Sequence, residues 1–221
     1  NRMVGIVTFD DAMDVLEEET SEDMALMSGM LPSERTYLKS SVWSLFRNRI
    51  PWLLLLMISA TFTGMIITSF ETALAAQAAL IAFIPMLMGT GGNSGAQSSV
   101  TIIRGLSMGE ITPKDVGRIL WKELRVSLLC GVALAAVTFL KMISIDRLIM
   151  GSDMTPIVAL TVSLALFATV VCAKLIGCLL PLVAQQCKLD PAVMASPMIT
   201  TVVDAVSLLL YFSLAKLILG I

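Results

Sequence analysis

The sequence has no histidine, and only 14% of its 221 residues are charged. Without histidine there is no imidazole metal site, and the serines, cysteines and lysines have no imidazole base to activate them as nucleophiles. The net charge of −2 excludes the broad basic surface that nucleic-acid binding needs. No paired carboxylates indicate a catalytic cleft either. The sequence therefore predicts neither an enzyme nor a nucleic-acid-binding protein.

Cysteine is also scarce, and its placement is uninformative for redox chemistry. The four cysteines all lie in apolar stretches: Cys130, Cys172, Cys178 and Cys187. We interpret them as small packed residues and not as disulfide partners or soft-metal ligands.

What the sequence has in abundance is apolar surface, at 57% hydrophobic residues and a mean hydropathy of +0.88. A soluble domain is usually about one-quarter charged, so lipid is the expected solvent here. A membrane-crossing helix needs about 20 mostly apolar residues. Five segments meet this requirement: 50–70, 72–103, 119–145, 155–184 and 192–220. The predicted fold class is an all-α integral membrane protein with five transmembrane helices per subunit.

The basic residues between these segments predict the orientation in the membrane. One side carries Arg2, Arg35, Lys39, Arg47, Arg49, Arg104, Lys114, Arg118, Lys122, Arg125 and Lys188. The other side carries only Lys141 and Arg147. Lysine and arginine concentrate in cytoplasmic loops. We therefore expect a multi-pass protein of the inner (plasma) membrane, with a cytoplasmic N-terminus and an extracytoplasmic C-terminus.

The first 49 residues differ from the rest and hold nine of the seventeen acidic residues. Residues 4–7 are predicted to form a short buried strand, followed by a helix capped by Thr8 or Asp10. We interpret 1–30 as the C-terminal remnant of a soluble cytosolic domain, 31–49 as a polar connecting helix and 50–221 as the transmembrane pore domain. An acidic cluster in the remnant is either a solvated face or a cation sensor; it comprises Glu17, Glu18, Glu19, Glu22 and Asp23.

Asp204 lies deep inside the fifth apolar segment, where a carboxylate costs at least about 2.5–3.5 kcal/mol. It must face water, a cation or a partner charge. Polar residues share its helix face at spacings of three and four, namely Ser196, Thr200, Ser207 and Tyr211. Such a stripe is typical of a pore lining. The alternative is that Asp204 is protonated or is salt-bridged to Lys174, the other charge evident at membrane depth.

The second segment contains a glycine-rich run, PMLMGTGGNSGAQ, between Pro85 and Gln97. Glycine is a poor helix former, and membranes tolerate it where backbones approach closely or where freed carbonyls line a cavity. The amides of Asn93 and Gln97 are four residues apart and face one way, and amide oxygens suit hard cations. The alternative is a helix-packing surface in which Gly91 and Gly95 make a GxxxG contact. Lys174 either pairs with an acid or snorkels, or lines and gates the path.

Taken together, these residues resemble the MgtE family of magnesium channels. The run from Pro85 through Gly92, Asn93 and Gly95 to Gln97 is similar to the family signature. Residues 189–216, LDPAVMASPMITTVVDAVSLLLYFSLAK, resemble its pore helix, and residues 1–24 resemble the end of a CBS domain.

The resemblance implies a homodimer whose second and fifth helices line a central pore, with Mg²⁺ as the bound and transported ion at paired Asp204 residues. The candidate cation-contacting residues are Asp204, Asn93, Gln97, Thr200, Ser196 and Ser207, and the candidate pore-lining backbone positions are Gly91, Gly92, Gly95 and Pro85. The expected partners are lipid, a second subunit and divalent cations. Two alternatives stay open: a coupled divalent-cation exchanger of the same fold, and a membrane-anchored sensor that transports nothing.

Overall fold

The computed structural model describes residues 3–33, 36–146 and 155–220, without the side chains of Ala73 and Ser196. Every regular element in these ranges is helical. The α-helices are α1 (Phe9–Met27), α2 (Val42–Ser69), α3 (Glu71–Ala76), α4 (Ile84–Ser107), α5 (Val116–Lys141), α6 (Pro156–Gln186) and α7 (Ser196–Leu219). Short 3₁₀ segments occupy Tyr37–Lys39, Ala78–Phe83, Pro113–Asp115 and Pro191–Met194, and Met142–Asp146 form a π turn.

Four helical segments in the described ranges are long and apolar enough to cross a membrane. They are Val42–Ser69, Pro113–Asp146, Pro156–Gln186 and Pro191–Leu219. Helix α4 has the length of a membrane-crossing helix, but its glycines, serines and amides make it less apolar than these four. It packs between α6 and α7, which cover much of its surface. The predicted all-α membrane class is therefore confirmed.

The second predicted helix, 72–103, is not one continuous helix. The short α3 ends at Ala76, and Gln77 leaves the helical region at φ −139° and ψ 77°. A 3₁₀ turn follows before α4 begins, with Pro85 in its first turn, where proline's missing N–H costs no hydrogen bond. The Tyr211 hydroxyl donates to the Leu80 carbonyl over 2.9 Å. Side chains of neighbouring helices can satisfy irregular backbone in this way inside a membrane protein.

The helices form a bundle in which α6 and α7 pack against each other and each contacts two further helices. Helix α4 packs against both α6 and α7, α5 packs mainly against α6, and α2 packs mainly against α7. The main core gathers at the end of the bundle that holds the 78–83 turn, and its fully buried large side chains include Leu80, Leu87, Met142, Leu166, Leu208, Tyr211 and Phe212. Phe70, at the end of α2, stacks on Phe212 with ring centroids 4.9 Å apart.

The strand predicted at residues 4–7 does not form. These residues have no regular structure, and Val4, Ile6 and Val7 are between 77% and 100% exposed. A strand needs neighbours to pair with, and the described residues contain no other strand. The helix that follows confirms the prediction of a Thr8 cap: Thr8 and Asp11 form a capping box at the start of α1. Two hydrogen bonds from Thr8 hold the pKa of Asp11 below its usual range.

Residues 31–33 and 36–49, the described part of the predicted connector, do not form a helix of their own. After the turn at Tyr37–Lys39, Ser41 caps α2, which then runs unbroken through Pro51. Residues 42–49 are therefore the first two turns of the first membrane-crossing helix. The separate helix that precedes it is α1, whose end packs through Leu26 and Met27 near the start of α7. The domain identities assigned to 1–30 and 31–49 stay predictions.

Candidate functional site: the polar face of α4 and α7

The glycine-rich run is part of a continuous helix and makes a close backbone contact with α6. A methyl group added at Gly95 would lie 2.7 Å from the Ile199 side chain and 3.1 Å from the Ala173 carbonyl oxygen. One added at Gly177 of α6 would overlap the Gly95 carbonyl oxygen and lie 2.9–3.0 Å from two other backbone atoms of Gly95. Only glycine at both positions lets α4 and α6 approach this closely.

Gly91 and Gly92 make the matching contact with α7. A methyl group at Gly91 would lie 2.8–3.0 Å from Thr169, Ser207 and Val203, and one at Gly92 would lie 3.0 Å from Thr200. All three glycines, Gly91, Gly92 and Gly95, are buried, so they lie on a helix-packing surface, as the alternative interpretation predicted. No break in the helix frees their carbonyls, so their lining of a pathway stays a prediction.

The opposite face of α4 is open. Pro85, Gly89, Asn93 and Gln97 follow one another at four-residue spacing, and all are exposed. The structure therefore places the two predicted amide ligands together on an uncovered surface of the subunit, one helical turn apart.

Thr200 and Asp204 lie on α7 beside this face, and both are partly exposed. Thr200 packs on Gly92, the neighbour of Asn93, and Asp204 follows one turn later. The Thr200 hydroxyl donates to the Pro197 carbonyl over 3.0 Å, which leaves its second lone pair able to accept. The structure thus brings Asn93, Gln97, Thr200 and Asp204 to one polar face, referred to below as the polar face.

Asp204 has no hydrogen bond or ion pair among the described residues. It is the ninth residue of α7 and lies about 12 Å along the axis from the helix start, at 1.5 Å per residue. The alternative that it pairs with Lys174 is wrong, because the Lys174 ammonium lies 3.7 Å from a Glu123 carboxylate oxygen. Asp204 is therefore a carboxylate at membrane depth that the subunit itself does not neutralise.

Lys174 belongs to a buried cluster inside the bundle. Its Nζ donates to the Ser98 hydroxyl over 3.5 Å, and Ser98 in turn donates a short hydrogen bond to Glu123. The side chains of Lys174 and Glu123 are 7% and 17% exposed. The interpretation that Lys174 pairs with an acid is therefore confirmed, and that acid is Glu123 on α5.

The rest of the predicted polar stripe turns inward. Ser207 is buried, packs near Gly91 and donates to the Val203 carbonyl over 2.6 Å. Tyr211 is fully buried and bonded to Leu80. The structure therefore does not bring Ser207 to the polar face, and the Ser196 side chain lies outside the described residues. The spacing correctly identified a shared face of α7, but α4 covers Ser207 and the 78–83 turn covers Tyr211.

The acidic cluster lies on α1, and all of α1 before its last turns is exposed. Asp23 is the member nearest the membrane domain. Partial burial raises its pKa, and the carboxylates of Asp190, Glu19 and Glu22 raise it further. Negative charge is thus crowded where α1 meets the turn before α7. No group of three or more acidic or cysteine side chains in the described ranges is arranged to hold a metal ion.

Glu123 and Ser98 are the site residues that the sequence reasoning missed. Glu123 lies at the charged start of the third segment, where an acid among basic residues looks interfacial. The sequence nevertheless contained a signal for the contact between Glu123 and Lys174. Lys174 needs a partner at its own depth, and the start of α5 and the end of α6 lie at the same end of an antiparallel pair.

Comparisons with known proteins show the family of the chain. The family model described as MgtE, divalent cation transporter, matches residues 84–214, which run from the start of α4 into α7. The chain is 35% identical to the magnesium transporter MgtE of Thermus thermophilus, over 99% of this chain and 47% of the relative. It is also 35% identical to that of Bacillus subtilis, over 97% and 46%, and 28% identical to that of Enterococcus faecalis, over 98% and 46%.

The chain thus spans just under half the length of these curated relatives. The matched region contains all four residues of the polar face and the glycine contact behind them. The family match and the membrane-crossing helices agree, and the chain belongs to the MgtE family of divalent cation transporters.

Proposed function

We propose that this chain conducts Mg²⁺ across the membrane, through a pathway lined by the polar faces of two subunits. Membership of a transporter family confirms that the chain is not an enzyme, and the named relatives are magnesium transporters. The path is formed by α4 and α7. Asp204 supplies the charge, and Asn93, Gln97 and Thr200 supply neutral oxygen ligands.

The observation that carries the proposal is the open, unneutralised position of Asp204. Lys174, the one competing cation at membrane depth in the described ranges, is already paired with Glu123. Asp204 is partly exposed on the same surface as two amides. An ionised carboxylate in this position is stable only if water or a cation reaches it.

The ligand set suits a hydrated divalent ion. Mg²⁺ requires octahedral oxygen ligands and loses water reluctantly, so it usually keeps several waters and binds one or two carboxylates. One subunit offers a single carboxylate and a few neutral oxygens, spread over two helices. Such a site holds a hydrated ion through its water shell.

The structure gives less support to the two other functions. A coupled exchanger in which Asp204 and Lys174 alternate as partners requires the two to meet, and Lys174 lies inside the bundle with Glu123. A membrane anchor gives no reason for Asn93, Gln97 and Asp204 to share an open face. Passive conduction of the divalent ion is therefore the function that the geometry favours.

The test is Mg²⁺ influx into liposomes that contain the purified chain and a Mg²⁺-sensitive dye. Influx is expected when a K⁺-diffusion potential makes the interior negative, with no Na⁺ or H⁺ gradient across the membrane. Protein-free liposomes are the control. Influx that requires an opposing Na⁺ or H⁺ gradient would support the exchanger, and no influx under either condition would support the anchor.

A second subunit is expected from the charge that a divalent ion requires. One Asp204 leaves a divalent ion half neutralised, and two related by a two-fold axis match it. We therefore expect a cysteine at Asn93 to cross-link to its symmetry mate in a background without the four native cysteines. The measurement is the appearance of a dimer band after oxidation in membranes.

The matched control is a cysteine at Val137, which is 64% exposed on α5 and therefore accessible but on a different helix. It is expected to stay monomeric under the same oxidation. Equal cross-linking at both positions would indicate random collision, and cross-linking at Val137 alone would place the dimer contact on the wrong side of the bundle.

The orientation proposed from the sequence agrees with this assignment. The described cations at the ends of α4 and α5 are exposed, including Arg104, Lys114, Arg118, Lys122 and Arg125. We propose that they lie at the cytoplasmic surface, where anionic lipid attracts them. The N-terminal helix α1 is then cytoplasmic as well, and the end of α7 is extracytoplasmic.

A further inference from the structure

Ser98, Glu123 and Lys174 join three helices through a charged cluster in the interior of the bundle. Glu123 Oε1 accepts from the Ser98 hydroxyl and lies 3.7 Å from Lys174 Nζ, which is also 3.5 Å from Ser98 Oγ. Removing two charges from water costs several kcal/mol per ion before their attraction is counted. A well-packed apolar pair is often at least as stable, so stability alone gives little reason for these charges.

The cluster lies next to the polar face, roughly 100° further around α4 and inside the bundle. Ser98 follows Gln97 in the chain, and its side chain is 3% exposed where that of Gln97 is open. Lys174 follows Ala173, whose carbonyl oxygen contacts the Gly95 position. Because a helix with its side chains is about 10–12 Å across, the Lys174 charge lies about one helix diameter from the surface that the cation follows.

A lone ammonium at that distance acts on the pathway. At an effective dielectric constant of about 20, a unit charge roughly 10 Å away repels a divalent cation by enough to change its affinity about ten-fold or more. Glu123, in direct contact with Lys174, cancels this repulsion. Ser98 connects the neutral pair to α4.

We propose, on the basis of the function proposed above, that Glu123 is a positioning residue for cation passage. It cancels the charge of Lys174 beside the pathway and, through Ser98, fixes the part of α4 that presents Gln97. The paired charges therefore set the apparent affinity for the cation without touching it.

The experiment compares Glu123→Gln, Lys174→Met and the double variant in liposomes. For each, the Mg²⁺ concentration that gives half-maximal influx and the maximal rate are measured separately, together with the thermal unfolding temperature in detergent. Lys141→Met is the control, because it removes a cation whose ion pair with Asp146 lies at the other end of α5.

Glu123→Gln is expected to raise the half-saturating Mg²⁺ concentration about ten-fold, because it leaves Lys174 uncompensated. Lys174→Met leaves the Glu123 carboxylate uncompensated, which attracts the cation, so this variant is expected not to raise the half-saturating concentration. The double variant is expected to return to within about three-fold of the parent, and both single variants to unfold at lower temperature than the double. A half-saturating concentration that stays unchanged in Glu123→Gln, with only the maximal rate reduced, would mean that the pair is merely structural and overturn the proposal.

If Glu123→Gln does not fold, the double variant alone tests the proposal. Folding and influx in the double variant support a neutral pair, and its failure overturns the proposal. The unfolding temperatures also separate this inference from the proposed function. If the parent passes no Mg²⁺, the proposed function fails. The Glu123–Lys174 pairing is then still supported if the double variant recovers the unfolding temperature of the parent. It is contradicted if the losses of unfolding temperature in the two single variants add in the double variant.

Discussion

Replacement of Asp204 by Asn is expected to reduce Mg²⁺ influx at least about 100-fold, while the chain still folds and inserts. Asn keeps the size of the side chain and one oxygen ligand but removes the charge. In the structure no other described acid lies on the polar face, so nothing nearby replaces it. The measurement is dye-reported Mg²⁺ influx into liposomes at equal protein content.

The magnitude follows from electrostatics. At an effective dielectric constant of about 20, a carboxylate 4 Å from a unit charge contributes about 4 kcal/mol, and about twice that for a divalent ion. Even if water screens most of this, several kcal/mol are lost, and each 1.4 kcal/mol is ten-fold in affinity. The same loss removes the preference for Mg²⁺ over monovalent ions, so Na⁺ or K⁺ passage is expected to rise relative to Mg²⁺.

The matched control is Asp190→Asn, which makes the same chemical change just before the turn that leads into α7. Asp190 caps that turn by accepting from the Ala192 amide over 2.8 Å, and Asn is an equally good capping residue. Near-parental influx is expected there. Because Lys174 pairs with Glu123, adding Lys174→Met to Asp204→Asn should not restore influx. Parental influx and selectivity in the single Asp204→Asn variant would remove Asp204 from the mechanism.

Gly177→Ala is expected to destabilise the chain by at least about 2–3 kcal/mol, the range of severe overpacking. The added methyl group would overlap the Gly95 carbonyl oxygen, and its other neighbours are backbone atoms that no rotamer change can move. Helices α4 and α6 must therefore separate. We expect a lower unfolding temperature in detergent and a large loss of influx, since α4 carries the amides of the polar face.

Gly64→Ala in α2 is the control for this prediction. Gly64 is an exposed residue of a membrane-crossing helix, and a methyl group there would have no neighbour within 4 Å. Alanine also favours the helix by up to about 1 kcal/mol relative to glycine. Unchanged or higher stability is expected. If Gly177→Ala unfolds at the same temperature as Gly64→Ala, the close approach of α4 and α6 is not a determinant of the fold.

Hydropathy was sufficient to predict the helical class, because four segments are so apolar that only lipid accommodates them. It did not predict the break at residues 77–83. That stretch is as apolar as a helix, and its irregular backbone depends on the Tyr211 hydroxyl, which is distant in sequence. The strand predicted at 4–7 failed for a related reason, since a strand depends on partners that local sequence does not reveal.

The same distinction between local pattern and distant contacts applies to the candidate site. Helical spacing correctly placed Asn93 with Gln97 and Thr200 with Asp204. It could not show which neighbour covers each face, so Ser207 and Tyr211 were grouped with residues that are open. It also could not identify the partner of Lys174, because the 50 residues between Glu123 and Lys174 carry no periodic signal of their contact.

The packing of α2 has a consequence for how the chain is made. This helix packs mainly against α7, so the first and last membrane-crossing helices are neighbours, although Ser69 and Ser196 are about 130 residues apart. At about 5–20 residues per second, a ribosome needs roughly 6–25 s to synthesise that interval. During this time α2 waits in the bilayer without its partner. Its high mean hydropathy of 2.0 and its lack of buried residues make it stable there, because lipid solvates its apolar surface until α7 is inserted.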